Sequence, residues 1–236
     1  MTGMRGIKAI LFDKDGTLFD FQATWGTWAQ RMIDQIAGED GHRRAALAQA
    51  IGFDMAAGRF LPHSPVIAGT GREAAALVAP YLPQPAPSLD EIEARLSAAA
   101  AEVPLVEAVP LRPLLQNLAA SGFRLGVATN DHEAVARQHL GELVTLFDFV
   151  AGFDSGHGAK PGPGMLLAFA RHCGLRPESV LMVGDSRHDL DAGRAARMHT
   201  LAVLTGVAKA PDLAPHADAL RPDIGHLPAL LGFAPR

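Results

Sequence analysis

An α/β fold, with a parallel sheet core and an all-helical block inserted after the first strand, is what this 236-residue sequence predicts. Three observations predict it. Residues 7–12 form an apolar run that reads as a short buried strand. Residues 20–106 then show helical periodicity and no good strand. From residue 107 onward, strand-like and helix-like segments alternate, as crossover connections in a parallel sheet require. The expected organisation is a core made of residues 1–19 and 107–236, with a helical insertion over 20–106.

The inserted block is read first. In residues 21–36, Trp25, Trp28, Ala29, Met32, Ile33 and Ile36 recur at helical spacing, a stripe suited to core or inter-domain packing. A second helix is expected over 42–51, followed by a loop punctuated by glycine and proline at 58–65. Thr70 with Glu73, and Ser88 with Glu91, have capping-box spacing and announce two more helices. The last of these carries Leu89, Ile92, Leu96 and Ala100 on one face, after a stiff connector at 83–87.

The second half alternates. Helices are expected over 111–121, 132–140, 165–172, 189–197 and 227–231, and strands over 124–128, 148–152, 180–184 and 200–204. Composition bounds the function. The net charge of −4 leaves no basic footprint for nucleic acid. Cys173 is the only cysteine, which excludes an internal disulfide framework and a cysteine zinc cluster. No apolar run reaches the length of a membrane span and no signal sequence opens the chain, so a soluble cytoplasmic protein is expected.

Ligands bind open parallel sheets at the carboxyl ends of the strands. The first expected strand ends in Asp13-Lys14-Asp15-Gly16-Thr17, and period-two alternation would place both carboxylates on one side and Lys14 on the other. The strand at 124–128 delivers Thr129 and Asn130. The loop at 158–163 carries Lys160 just before a helix, in a chain that uses only four lysines. The strand at 180–184 delivers Asp185, with Asp189 close behind. Acids, a hydroxyl, an amide and one cation at a single sheet edge suit a magnesium ion and a phosphoryl group. The segment 69–74 also fits a dinucleotide fingerprint, but no adequate strand precedes it and no ribose-binding acid follows. Neither an H-E-x-x-H pattern nor a G-x-S-x-G elbow is present.

These four motifs, in this order, resemble those of the haloacid dehalogenase-like (HAD) hydrolase superfamily, in the phosphatase branch that includes phosphoglycolate phosphatases. The resemblance implies a Rossmann-like core with a small helical cap. It implies that Asp13 is the nucleophile forming an aspartyl-phosphate, and that Asp15 is the general acid and base, its pKa raised by the neighbouring carboxylate. It also implies Mg²⁺ held by the Asp13 carboxylate, the Asp15 backbone carbonyl and Asp185, with Thr129, Asn130 and Lys160 holding phosphoryl oxygens. Asp189 would reach the metal through water or orient Lys160; stabilising a helix N-terminus is its alternative role. Lys14 receives no catalytic role. Asp15 argues against carbon–halogen cleavage, and the absence of lysine between Lys14 and Lys160 argues against a Schiff-base phosphonatase.

The expected activity is Mg²⁺-dependent hydrolysis of a small phosphorylated metabolite, phosphoglycolate or similar, by a monomer or homodimer with no nucleic-acid or membrane partner. A sugar-phosphate mutase is the alternative, and a catalytically silent binding module on the same scaffold is the reading from outside enzymology. Arg59, His63, Ser64 and Arg72 are the candidate cap contacts to substrate, an arginine being able to pair with a carboxylate.

Overall fold

The apolar run near the N-terminus becomes β1 (Ala9–Phe12), and its side chains alternate between the two faces of a sheet. Ile10 and Phe12 join one apolar cluster, Ala9 and Leu11 the other, and all four are fully buried. The computed structural model describes residues 4, 6–67 and 69–232.

After β1 the chain enters a helical block. Helix α1 (Phe21–Ala37) is capped by Asp20, and α2 (Gly41–Ala50) by Asp40. Two strands of two residues each, β2 (Phe53–Asp54) and β3 (Arg59–Phe60), pair antiparallel, so the block is not wholly helical as expected. Strands this short show no alternation in sequence, and what holds this pair is packing. Phe60 stacks edge-on against Phe53 and Phe21, at ring separations of 5.1 and 5.4 Å. Helices α3 (Gly71–Val78) and α4 (Leu89–Ala101) begin at Thr70 and Ser88, and both capping boxes form as expected.

The remaining elements alternate: α5 (Leu111–Ala120), β4 (Arg124–Ala128), α6 (Glu133–Leu140), β5 (Phe149–Ala151), α7 (Gly164–His172), β6 (Val180–Gly184), α8 (Arg187–Ala195), β7 (His199–Val203), α9 (Ala210–Leu213), β8 (Ala219–Arg221) and α10 (Leu227–Leu231). Strands β4 and β6 have the predicted limits. The edge strand β8 and the one-turn α9 were not foreseen; both are too short to carry a period.

Six strands form one parallel sheet in the order β5-β4-β1-β6-β7-β8. Its centre is β1, flanked by β4 and β6, so three of the four motifs leave adjacent strands. One face is covered by Leu111, Leu115 and Leu118 of α5 with Ala136 and Leu140 of α6; the other by Met165, Leu166 and Phe169 of α7 with Ala192 of α8. The chain leaves and re-enters this core along one hydrogen-bonded ribbon. Asp20 N–H donates to the Val106 carbonyl at 2.8 Å, and Ala108 N–H to that of Leu18 at 2.9 Å. Among the described residues, no helix is long and apolar enough to cross a membrane.

Candidate active site

Strand β1 ends at Phe12, and Asp13 follows with its backbone N–H donating to the Val183 carbonyl at 2.9 Å. The Asp13 carboxylate meets Lys160, which arrives on the loop before α7. Lys160 Nζ donates to Asp13 Oδ1 at 2.5 Å, to Asp189 Oδ1 at 2.6 Å and to the Ala128 carbonyl at 2.8 Å. All three ammonium protons are therefore bonded, and the triad is buried. Burial pushes the Lys160 pKa down, but the charges of Asp13 and Asp189 outweigh it and hold the lysine above its ordinary value. Asp189 turns its other oxygen to its own helix. Oδ2 accepts from Ser186 N–H at 3.1 Å and from Ser186 Oγ at 2.7 Å, closing the capping box of α8. Two roles weighed for Asp189, orienting Lys160 and securing the helix start, thus coexist.

Asp185 completes the acid cluster. Oxygens of Asp13, Asp185 and Asp189 lie within 4.8 Å of one another. Two glycines make room for the Asp185 carboxylate: at Gly16, where φ is +84°, a Cβ would stand 2.4 Å from Asp185 Oδ2, and at Gly206 only 1.7 Å from it. Burial, together with the Asp13 and Asp189 charges, pushes the Asp185 pKa well above the usual carboxylate range. Asp13 is pushed up to about 7, chiefly by burial, against the opposing pull of Lys160. Carboxylates crowded beyond what one lysine neutralises fit a hard divalent cation such as Mg²⁺. Asp13 and Asp185 are the side chains available to hold it, since both oxygens of Asp189 are already bonded.

Asp15 corrects two expectations. Its pKa is not raised: burial pushes it up, but Lys14 outweighs this, and the Trp25 indole helps, so the net shift is downward. Lys14 Nζ lies 2.6 Å from Asp15 Oδ2, and Trp25 Nε1–H donates to Asp15 Oδ1 at 2.9 Å. Lys14 does not point away from the aspartates as continued alternation would require. The strand stops at Phe12, a bend follows at Lys14, and Gly16 turns the chain with its positive φ. Lys14 is fully buried; besides Asp15 it touches His139 Nδ1 at 3.0 Å and Asp131 at 3.4 Å. His139 Nε2–H donates to the Ala100 carbonyl at 2.9 Å, leaving Nδ1 as the acceptor for Lys14. From sequence, Lys14 receives no role and Trp25 a packing role, and His139 is not singled out. A lysine between two aspartates, in a chain with four lysines, was the available signal.

Thr129 is buried at the end of β4, its Oγ1 accepting from Asp131 N–H at 3.2 Å. Asn130, expected to offer its amide to a phosphoryl oxygen, instead clamps the Lys160 peptide. Its Nδ2 donates to the Lys160 carbonyl at 2.9 Å, and its Oδ1 accepts from Lys160 N–H at 2.8 Å. Its side chain fixes the loop that delivers the lysine.

These residues floor a cavity whose empty volume, mouth included, is about 970 Å³. The helical block roofs it with Trp25, Trp28, Phe60, Ile67, Thr70 and Leu96, among others. The expected cap contacts are not brought there. Arg59 is exposed, paired in register with Asp54. Arg72 is half exposed and bonded to Asp90 and Glu93 of α4, because its position on the first turn of α3 faces that helix. His63 and Ser64 line a neighbouring cavity, which shares Ile67, Gly69, Asp185, Ser186 and His188 with the first.

The sequence profile of haloacid dehalogenase-like hydrolases matches residues 7–197, a span that takes in β1, the whole helical block and every motif above. The chain belongs to the haloacid dehalogenase-like hydrolase family. As a member of this family it is 38% identical over 105 residues to a phosphoglycolate phosphatase of Nitrosospira multiformis, covering 44% of this chain and 46% of the relative. To that of Rhodospirillum rubrum it is 37% identical over 123 residues, 51% of each chain. The matches thus span about half the length of these curated relatives. Solved structures share the fold over nearly the full length. CbbY from Rhodobacter sphaeroides, in complex with phosphate, superposes with a TM-score of 0.67 at 21% identity, over 95% of this chain and 99% of that one. A HAD phosphatase from Thermococcus onnurineus gives 0.61 at 20%, over 98% and 100%.

Proposed function

We propose that this HAD-family protein is a Mg²⁺-dependent phosphatase acting on a small phosphomonoester, with Asp13 as nucleophile. The observation that carries the reading is the buried Asp13–Lys160–Asp189 triad with Asp185 beside it, at the carboxyl edge of a parallel sheet. The names of the relatives support the same class.

Asp13 and Asp185 would hold a Mg²⁺ ion, which when bound would supply positive charge for the phosphoryl oxygens. Asp13 Oδ attacks phosphorus; the P–O bond to the substrate alcohol breaks, and Asp15 passes a proton to the departing oxygen. Water then attacks the aspartyl-phosphate, Asp15 takes its proton, and the new P–O bond forms as that to Asp13 breaks. Lys160 and the Thr129 hydroxyl stabilise the charge on the phosphoryl oxygens. In the resting site Asp15 is ionised, the form needed for the second step. A phosphoryl dianion arriving beside it adds like charge and draws its pKa upward for the first.

The test is phosphate release from p-nitrophenyl phosphate by the full chain, with Mg²⁺ and with EDTA. Metal-dependent release without a sugar bisphosphate activator supports hydrolysis. Release only with such an activator, accompanied by an isomerised sugar phosphate, replaces it with mutase activity. No turnover of any phosphomonoester overturns it.

A further inference from the structure

The floor and roof of the cavity differ in charge. Among the described residues, five carboxylates line it: Asp13, Asp15, Asp131, Asp185 and Asp189, all from the core. The cations facing it are also from the core. One is Lys160, whose ammonium is already bonded three ways; the other is His188, positively charged only when protonated. Among the described residues, the helical block contributes no cation to this lining. Its lining is Phe21, Trp25, Trp28, Phe60, Ile67 and Leu96, with Val66, small residues and the hydroxyls of Thr70 and Ser97. The arginines of the block lie elsewhere, Arg72 tied to Asp90 and Glu93, Arg59 in solvent.

A phosphomonoester bound with its phosphoryl group on Asp13 extends its alcohol toward this roof. If that alcohol carried a carboxylate or second phosphate, the extra charge would lose its water against aromatic rings with no cation to meet it, above a floor already rich in carboxylates. An uncharged apolar alcohol meets complementary surface instead. The tryptophans reinforce the point: Trp25 and Trp28 stand edge to face with ring centroids 5.5 Å apart, offering two differently oriented aromatic planes.

From this we infer that the leaving alcohol is uncharged and substantially apolar, the size of a benzyl or short alkyl group, and that phosphoglycolate is a poor substrate. The inference rests on the phosphatase reading above and names the substrate class of the same site. Selectivity comes from burial on the roof, at roughly fourfold per methylene removed from water.

The experiment measures kcat/KM for matched esters with the Mg²⁺-loaded full chain. Benzyl phosphate against 4-carboxybenzyl phosphate keeps the same benzylic leaving oxygen and changes only the distal charge; butyl against ethyl phosphate changes only apolar length. The neutral benzyl ester is expected to be favoured about 100-fold over its carboxylated partner. Butyl should exceed ethyl about 15-fold, and phosphoglycolate should fall below butyl phosphate. In Leu96→Lys, which places a cation on the roof, the benzyl preference should shrink at least tenfold. Equal or better turnover of the carboxylated ester or of phosphoglycolate overturns the inference while leaving the phosphatase reading intact. So does an unchanged ratio in a folded, active Leu96→Lys variant. No turnover of any ester overturns the phosphatase reading itself, and the inference with it.

Discussion

The sheet-edge wall of the cavity holds its side chains by charge, while the wall built from the helical block, the Trp25 bond to Asp15 apart, holds its own by contact. On the first, each functional group is bonded at most of its valences: Lys160 to three acceptors, Asp189 to the lysine and its own helix start, Asp15 to Lys14 and Trp25. On the second, Trp28, Phe60 and Leu96 belong to or border the apolar cluster of the block and are fixed by packing alone. The charged wall is rigid in chemistry, because removing one member leaves another buried and unpaired. The apolar wall tolerates exchange of one hydrophobe for another of similar size. A fixed reaction and an adjustable choice of substrate follow from that difference.

The charged wall is most sensitive to substitution at Asp13. Asp13→Asn is expected to lower kcat by about 10⁴-fold or more while leaving the circular dichroism spectrum unchanged; near-normal phosphate release would remove the nucleophile from Asp13. Lys160→Met should lower kcat by about 10²–10³-fold. It should also cost about 3–5 kcal/mol in metal-free urea unfolding, since Asp13 and Asp189 then face each other without a cation.

Next in size is Lys14→Met. It leaves Asp15, Asp131 and His139 without their shared partner and is expected to cost about 3–5 kcal/mol of unfolding free energy as well. A variant as stable as the parent would show that Lys14 does not tie these groups together.

The charged wall also has a pH signature. Asp13 in the folded, metal-free protein titrates near 7 against an ordinary value of 3.8, so between those values the native state holds a proton that the unfolded chain has released. Stability in EDTA should therefore fall as pH rises from about 4 to about 7. Saturating Mg²⁺ displaces that proton and should flatten the slope. Thermal unfolding at several pH values, with and without metal, reads this directly. The smallest effect is expected at Arg72→Ala, whose guanidinium is half exposed and pairs with the exposed Asp90 as well as with Glu93: less than twofold in kcat/KM, and within about 1 kcal/mol in stability.

The same division explains what could be read in the sequence. The charged wall was legible because parallel strands end in fixed places: Asp13, Thr129 and Asp185 leave β1, β4 and β6, which are neighbours in the sheet. Lys160 stood out through the rarity of lysine. What escaped depends on geometry beyond the strand ends. Lys14 reaches Asp15 because the chain bends before the alternation can continue, and Asn130 clamps Lys160 across thirty residues of separation. On the apolar wall, Trp25 and Trp28 announced themselves as a helical stripe, but the same periodicity serves a core and a binding surface alike. The arginines beside the predicted cap loop looked available for an anion; only the fold shows Arg72 facing the acids of α4.

The hydrogen-bonded ribbon joining residues 18–20 to 106–108 has a consequence for how such a chain can diversify. Because the excursion begins and ends on adjacent rungs, its ends are held together by the core whatever lies between them. Closure entropy grows only logarithmically with length, so doubling the excursion would cost about 0.6 kcal/mol. Insertions, deletions or replacement within the block are thus nearly neutral events for the sheet, provided that the parts touching the sheet edge, the Trp25 indole on Asp15 and the Ala100 carbonyl on His139, are kept.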